Sequence, residues 1–265
     1  MSPPGSKHPM TLRALGGRRL VAGALLGCVL GATTFSSAHA DQTIRQIVPP
    51  LQDFYTKYVD CNGIPVRSSA SVEERALELA CGKIRAMLAN IPSVRSVLLE
   101  RGAELHIIGR DELTSDLPEF RSQRGVVYTD EKGARVTIDS RTRGKGGLRA
   151  SCGEENLLQL PNDRYHGVDT CVHEFSHTIM NNGLTVEQRA RIRERYKRAM
   201  AAGLWPQAYA ATDEMEYWAE LSMWYFGGHG DQRMKGTPPA DGQAGLRAYD
   251  PEGFALLDEI YRGGR

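Results

Sequence analysis

Two histidines stand four positions apart in the segment CVHEFSHTIM, residues 171–180, with a glutamate directly after the first histidine. Three apolar residues of this segment recur at helical spacing: Val172, Phe175 and Ile179. The pattern predicts a helix over residues 169–181 with one apolar face. His173 and His177 then share another face, about 6 Å apart along the axis. Two imidazoles at that separation can bind one tetrahedral zinc ion at about 2.0–2.1 Å each.

Glu174 lies about 100° around the predicted helix from His173, beside the metal rather than on it. A carboxylate in that place can accept a proton from a water that the metal activates. The chain of 265 residues has only 7 histidines, so a chance pair at this spacing around a glutamate would be rare. The pattern therefore predicts one catalytic zinc ion held by His173 and His177, with Glu174 as general base.

A hydrolytic zinc site also needs a third protein ligand and a coordination position left for water. A third histidine six residues after the pair would fall on Gly183, which excludes the class that uses one. The segment TDEMEYWAE instead offers two carboxylates four positions apart, Glu216 and Glu220. Either could bind the metal while the other accepts a hydrogen bond from a ligand histidine. The residues alone leave the order of these two roles open.

The first forty residues contain no acidic residue. Their basic residues come first, and the apolar run LVAGALLGCVLGATTF and the segment SSAHA follow. This order predicts a secretory signal over residues 1–40, cleaved after Ala40, and hence a secreted or periplasmic protein. The apolar run is short for a membrane span, which needs about 20 apolar residues. Two alternatives concern the export route: a twin-arginine signal at Arg18-Arg19 and a lipoprotein anchored at Cys28.

The chain beyond the signal is expected to form a single domain over residues 41–265. Lys and Arg number 33 and Asp and Glu 32, and four of the basic residues lie in the predicted signal. No basic excess remains that would indicate nucleic-acid binding. We also expect no stable membrane association after removal of the signal; the oligomeric state cannot be read from the sequence.

Four cysteines remain beyond the signal, and an even number in an exported protein favours two disulfides. We expect the pairs Cys61–Cys81 and Cys152–Cys171, because each closes a short loop. Buried free thiols are the alternative.

The order of patterns along the chain predicts an α+β fold rather than a doubly wound sheet. Residues 41–102 are expected to be mostly helical, with TIRQIVPPLQDFYTKYVD as a helix interrupted at Pro49-Pro50. Residues 103–265 are expected to form the catalytic core. In that part AELHIIG, GVVYTD and ARVTIDSR are predicted strands of one modest sheet, RTRGKGG a solvated loop, and the chain from Asp169 onward mostly helical.

HEFSH followed by Glu216 in YAATDEMEYWAE resembles the catalytic domain of the anthrax lethal factor family, which includes secreted bacterial and fungal relatives. These are zinc endopeptidases of the gluzincin type with a zincin-like, thermolysin-like core, and the specific match covers residues 169–226. The resemblance implies that zinc is held by His173, His177 and Glu216. It implies that Glu174 is the base. With Glu216 as the third ligand, Glu220 is the residue that we expect to accept a hydrogen bond from a ligand histidine. It also implies that Tyr209, seven residues before the third ligand, stabilises the oxyanion of the tetrahedral intermediate.

The chain is thus predicted to be a secreted zinc endopeptidase that hydrolyses peptide or protein substrates with a zinc-activated water and a glutamate base. The substrate is expected to add as an extended strand to an edge formed by ARVTIDSR or NLLQL. Two other functions remain open: a zinc-binding interaction module that does not cleave, and a zinc hydrolase of another amide, such as a cell-wall amidase.

Overall fold

A mixed six-stranded sheet supports the fold, in a computed structural model that describes residues 43–130 and 133–264. The predicted signal, including Arg18-Arg19, Cys28 and Ala40, lies outside the described residues. The strands within them are β1 (Arg45–Leu51), β2 (Tyr55–Cys61), β3 (Ile64–Ser68), β4 (Glu104–Ile108), β5 (Tyr128–Thr129), β6 (Arg135–Val136), β7 (Gly144–Lys145) and β8 (Arg149–Gly153). The main sheet has the order β1-β2-β3-β4-β8-β7. Its β3–β4 and β4–β8 pairs are parallel, and the other pairs are antiparallel.

Helices pack mainly against one face of this sheet. Those in the described part of the chain are α1 (Glu74–Leu88), α2 (Pro92–Glu100), α3 (Ile138–Arg141), α4 (Glu154–Leu157), α5 (Thr170–Thr178), α6 (Val186–Ala201), α7 (Glu214–Tyr225), α8 (Gly242–Tyr249) and α9 (Pro251–Tyr261). Leu105 and Ile107 of β4 join the core beneath α1 and α5. The intervening His106 points to the other face, because side chains alternate along a strand. The prediction of an α+β fold is confirmed.

The first half of the N-terminal part differs from the prediction of a mostly helical segment. The predicted helix over TIRQIVPPLQDFYTKYVD was wrong, because this stretch forms β1 and β2, and helices begin only at α1. Buried and more exposed residues alternate along β2, which is the period of a strand and not of a helix. The prolines of β1 are tolerated because β1 lies at the edge of the sheet, where a missing N–H breaks no ladder.

The strands after β4 also differ from the prediction of one modest sheet. GVVYTD and ARVTIDSR contribute β5 and β6, which form a separate two-stranded hairpin. RTRGKGG, predicted to be a solvated loop, instead supplies β7, the edge strand of the main sheet at the end opposite β1. A strand of two residues that is half glycine carries almost no strand signal in its sequence.

Two cysteine pairs join neighbouring elements. Cys61 of β2 pairs with Cys81 of α1, with their Cα atoms 5.3 Å apart. Cys152 of β8 pairs with Cys171 of α5, at a Cα distance of 5.1 Å. The second bridge ties the helix that carries the two histidines to the sheet beside it. No helix within residues 43–130 and 133–264 is long and apolar enough to cross a membrane.

Candidate metal centre

The helix α5 is fixed at both ends and along its length. The Asp169 side chain caps its N-terminus by accepting a hydrogen bond of 3.1 Å from the Val172 N–H, and it also pairs with Lys83. After Thr178 the helix continues into one π-helical turn, Ile179–Gly183. The Trp218 indole of α7 donates to the Ser176 carbonyl at 3.0 Å. These contacts hold α5 and α7 in one register, so side chains on the two helices meet reproducibly.

Three potential ligand atoms converge between α5 and α7. The Nε2 atoms of His173 and His177 are 3.1 Å apart. The Oε2 atom of Glu216 lies 3.0 Å from the first nitrogen and 3.5 Å from the second. Ligands at about 2.0–2.1 Å from a tetrahedral zinc ion stand about 3.3 Å from one another. Within the described residues this is the one group of at least three His, Cys, Asp or Glu side chains whose ligand atoms cluster closely enough for a metal ion.

The chemistry of these three atoms fits a cation. Glu216 Oε2 is buried and has no hydrogen-bond donor, which is costly unless a positive charge satisfies it. Burial works to lower the pKa of His173, but its contacts with Glu216 and Glu220 raise that pKa well above the ordinary value. Burial tends to raise the pKa of Glu216, and the two histidines outweigh this effect and lower it. The protein alone therefore favours positive charge where these lone pairs meet.

Glu220 lies behind the centre rather than in it. Its Oε1 is 3.2 Å from Nδ1 of His173, and its Oε2 accepts a hydrogen bond of 2.6 Å from the Asp231 N–H. Glycine at position 230 allows the backbone before Asp231 to approach the Glu220 carboxylate, because a Cβ there would stand 2.3 Å from Glu220 Oε2. With a proton on Nδ1 shared with Glu220, Nε2 of His173 presents its lone pair to the centre.

Glu174 is the one residue between 171 and 180 that is not fully buried. Its side chain lies under the edge strand, since a Cβ on Gly144 would be 3.0 Å from its Cγ and 3.1 Å from its Oε1. Loss of water around the carboxyl raises the pKa of Glu174, partly offset by the two neighbouring histidines. The carboxylate thus stands beside the ligand atoms, next to β7 and open to the cleft, where a base would be needed.

Tyr209 lies on the other side of the centre, in the short 3₁₀ turn Tyr209–Ala211 that precedes α7. Its ring stacks on His173 with the centroids 6.1 Å apart and the planes at 27°. Burial, followed by the charge of Glu216, raises the pKa of Tyr209, so the hydroxyl keeps its proton as a donor.

The edge strand β7 contacts α5 through glycines that the sequence reasoning missed. A Cβ on Gly146, next to the end of β7, would stand only 2.7 Å from Cβ of His177. Thr178 of α5 donates to the Gly147 carbonyl at 2.5 Å. Gly144 and Gly146 stand two residues apart and so face the helix together. That alternation in GKGG was the available signal.

The two segments predicted to offer the substrate edge do not lie at the edge of the main sheet. ARVTIDSR forms β6 and α3, and NLLQL lies in and after α4. NLLQL therefore forms no strand, ARVTIDSR supplies a strand of the separate hairpin, and the edge of the main sheet beside the centre is β7.

The fold is similar to that of a solved structure described as the Pro-Pro endopeptidase PPEP-2 from Paenibacillus alvei. The TM-score is 0.54, and the match covers 75% of this chain and 97% of the other at 14% sequence identity. At that identity the likeness shows a shared fold. No protein-family model matches this sequence, and a search of the curated proteins finds no match. The resemblance to the lethal factor family stays a prediction.

Proposed function

We propose that this protein is an exported zinc endopeptidase with a zincin-like core. The observation that carries the proposal is the convergence of His173, His177 and Glu216 on one point, with Glu174 on the same helix beside it. Such a set of two histidines and one carboxylate leaves a fourth tetrahedral position for a reacting group. The fold shared with an endopeptidase supports the proposed peptidase function.

Zinc, when bound by these three residues, supplies Lewis-acid polarisation of a carbonyl group and activation of water. Glu174 accepts the proton that the attacking water loses and delivers it to the leaving amine. Tyr209 donates a hydrogen bond from its hydroxyl to the carbonyl oxygen as negative charge develops there. Glu220 holds the ring of His173 in the orientation and tautomer that ligation requires.

The substrate backbone binds to the free edge of β7 as an added strand. Among residues 43–130 and 133–264, β7 pairs with β8 alone, so its outer N–H and C=O groups can pair with an extended peptide. Gly144 and Gly146 bring this edge close to Glu174 and His177. Main-chain pairing at this distance would set the scissile carbonyl between the metal ligands and the base.

The proposal of export rests on the predicted signal over residues 1–40. The two cysteine pairs, Cys61–Cys81 and Cys152–Cys171, support it, because disulfides persist in oxidising compartments.

The test measures metal content and peptide cleavage for the purified protein and for Glu174→Gln. We expect one zinc per chain in both proteins, and chelator-sensitive cleavage of a mixed peptide library by the unmutated protein alone. The library includes Pro-Pro sequences, since the structural relative is described by that preference. Zinc in both proteins without cleavage by either would favour the non-cleaving module. Absence of zinc from both would refute the metal centre.

A further inference from the structure

A cavity of about 540 Å³ lies where the edge strand β7 ends. The turn from β7 to β8 contributes Gly146, Gly147 and Arg149 to its lining, and the chain at the start of β4 contributes Arg101 and Glu104. Its volume falls within the range of small-ligand sites, about 300–1,000 Å³. None of the described residues that line it belongs to the metal centre.

The cavity continues the path that a peptide added to β7 would follow. Gly144 of β7 lies against Glu174, and Gly146 lies against Cβ of His177. Gly146 also lines the cavity, so the chain that passes the base and a metal ligand reaches the cavity next. A strand advances about 3.4 Å per residue. The cavity therefore begins about 7–10 Å, or about two to three residues, from the position opposite Glu174.

Two cationic side chains project from one face of the β7–β8 hairpin. Lys145 pairs with Ser151 across the two strands, and Arg149 stands two residues before Ser151, so these side chains share a face. Both cations are exposed. Within residues 43–130 and 133–264, neither side chain has a hydrogen bond or an ion pair. Cations without a partner beside a substrate edge favour an anionic group on the substrate.

The two carboxylates of the cavity are engaged by other residues. Glu104 is the cross-strand neighbour of Arg149, but its carboxylate pairs with Arg67. Glu119 accepts a hydrogen bond of 2.7 Å from Tyr55. Their side chains are only 17% and 12% exposed, whereas the two arginines of the lining are exposed. A ligand that enters the cavity therefore meets guanidinium groups before it meets carboxylates.

We propose that this cavity is a specificity site in which Arg149 binds the carboxylate of an Asp or Glu side chain of the substrate, about two to three residues from the scissile bond. The inference rests on the proposed endopeptidase function and deepens it by naming acidic peptides as the substrate class. A guanidinium can bind a carboxylate through two parallel hydrogen bonds. Arg101 supports Arg149, because its one bond, of 3.4 Å to the Asn182 carbonyl, leaves most of its N–H donors free.

The kinetic test uses peptides of one cleavable sequence, capped at both ends, in which a single Glu, Gln or Lys is moved along the chain. We expect kcat/KM to be about fivefold higher for Glu than for Gln at one position within about three residues of the scissile bond, the upper range for an exposed ion pair. Lys at that position should be cleaved more slowly than Gln. The Glu-to-Gln ratio should fall to about one in Arg149→Gln, and Arg149→Glu should prefer Lys. Equal cleavage of the Glu and Gln peptides at every position, or a ratio undiminished in Arg149→Gln, would overturn the proposal.

Arg198→Gln is the matched control. Arg198 is also an exposed arginine, but it lies on α6, where it pairs with Glu194 at 3.3 Å. Its loss changes the net charge by the same amount as Arg149→Gln. A preference that reflected only the overall field of the protein would therefore fall equally in the two variants. We expect the Glu-to-Gln ratio to stay unchanged in Arg198→Gln, and an equal fall would remove the assignment to the cavity.

A binding readout separates this inference from the function on which it rests. Gly102 and Gly147 line the cavity, and their amide resonances in Glu174→Gln report its occupancy without turnover. The Glu peptide should shift both resonances with a Kd about fivefold lower than the Gln peptide, and Arg149→Gln in the same background should remove that difference. Unmoved resonances, or equal Kd values, would overturn the inference even if the protein is a peptidase. A protein that binds no zinc and cleaves nothing would refute the proposed function, and the titration would still decide whether the cavity binds acidic peptides.

Discussion

Two clusters of the same side-chain types occur in the part of the chain that the structure describes, and of these two only the first brings ligand atoms close enough together for a metal ion. Around the first, His173 and His177 meet Glu216 and Glu220, with Tyr209 and Arg141 alongside. The second stands on the other face of the sheet, where β4 meets the 3₁₀ helix Pro118–Gln123. It contains one histidine, two glutamates, a tyrosine and an arginine: His106, Glu104, Glu119, Tyr55 and Arg67.

Geometry separates the two clusters where composition cannot. In the second, the ring of His106 lies between two carboxylates, with Nδ1 2.5 Å from Glu119 and Nε2 2.9 Å from Glu104. Tyr55 donates to the remaining oxygen of Glu119 at 2.7 Å, and Arg67 pairs with Glu104. Each of the two carboxylates thus has a donor besides the ring, and the two lie on opposite sides of the ring. In the first cluster the lone pairs converge and Glu216 Oε2 has no donor.

The comparison shows that hydrogen-bond donors to the carboxylates, rather than residue composition, distinguish a candidate metal site from a structural cluster. A carboxylate whose partners already donate to it ties structural elements together, as Glu119 ties its 3₁₀ helix to β4. A buried carboxylate oxygen without a donor, facing two imidazole nitrogens, has its energetic deficit removed only by a cation.

The largest expected difference concerns metal binding itself. His177→Ala removes one of three ligands and should abolish tight zinc binding and all turnover, because two ligands cannot complete the site. His106→Gln should keep one zinc per chain and its cleavage activity. Metal analysis by mass spectrometry after dialysis against a weak chelator distinguishes the two variants. Retention of zinc in His177→Ala would show that His177 is not a zinc ligand, and the distinction between the two clusters would fail.

The next largest effect concerns Tyr209 of the first cluster. Tyr209→Phe should keep its zinc and lower kcat by about 10²–10³, the usual cost of one oxyanion donor. Steady-state kinetics with zinc analysis of the same samples provides the measurement. A change of less than twofold in kcat would remove Tyr209 from the reaction and leave it as a packing partner of His173.

A smaller effect ranks the carboxylates by their affinity for zinc. Glu220→Ala should weaken zinc binding by about 10–100-fold, the range observed when a partner of a ligand histidine is removed. Glu216→Ala should abolish tight binding, as His177→Ala does, because it also leaves only two ligands. Glu104→Ala, in the second cluster, should leave the affinity unchanged. Competition with a chromophoric chelator gives all three values, and a stronger effect of Glu220→Ala than of Glu216→Ala would reverse their assigned roles.

The sequence predicted the α5 part of the site because its information is local. Residues four apart on a helix must meet, so His173, Glu174 and His177 are related by helical geometry alone. Glu216 comes from another helix, and the choice between it and Glu220 depends on how α7 is set against α5. The Trp218–Ser176 contact fixes that setting, and no periodicity reveals it.

The errors of prediction have the same origin. β1 and β2 differ from the predicted interrupted helix because the strand character of a short stretch depends on its pairing partners. β7 differs from the predicted loop because its two residues acquire a role only next to β8 and α5. Likewise, His106 gained its partner Glu119 through the tertiary fold.

The smallest effect we predict tests the second cluster as a structural tie. Tyr55→Phe removes a hydrogen bond to the Glu119 carboxylate and should lower the free energy of unfolding by about 1.5–3 kcal/mol. Turnover at a permissive temperature should not change, because Tyr55 lies among residues that reach no ligand atom of the metal centre. Urea unfolding followed by fluorescence, beside Tyr209→Phe, makes the comparison symmetrical. We expect stability to fall in the first variant and kcat to fall in the second. If Tyr55→Phe instead lowered kcat at unchanged stability, the two clusters would be coupled, and the division between a reacting centre and a structural tie would fail.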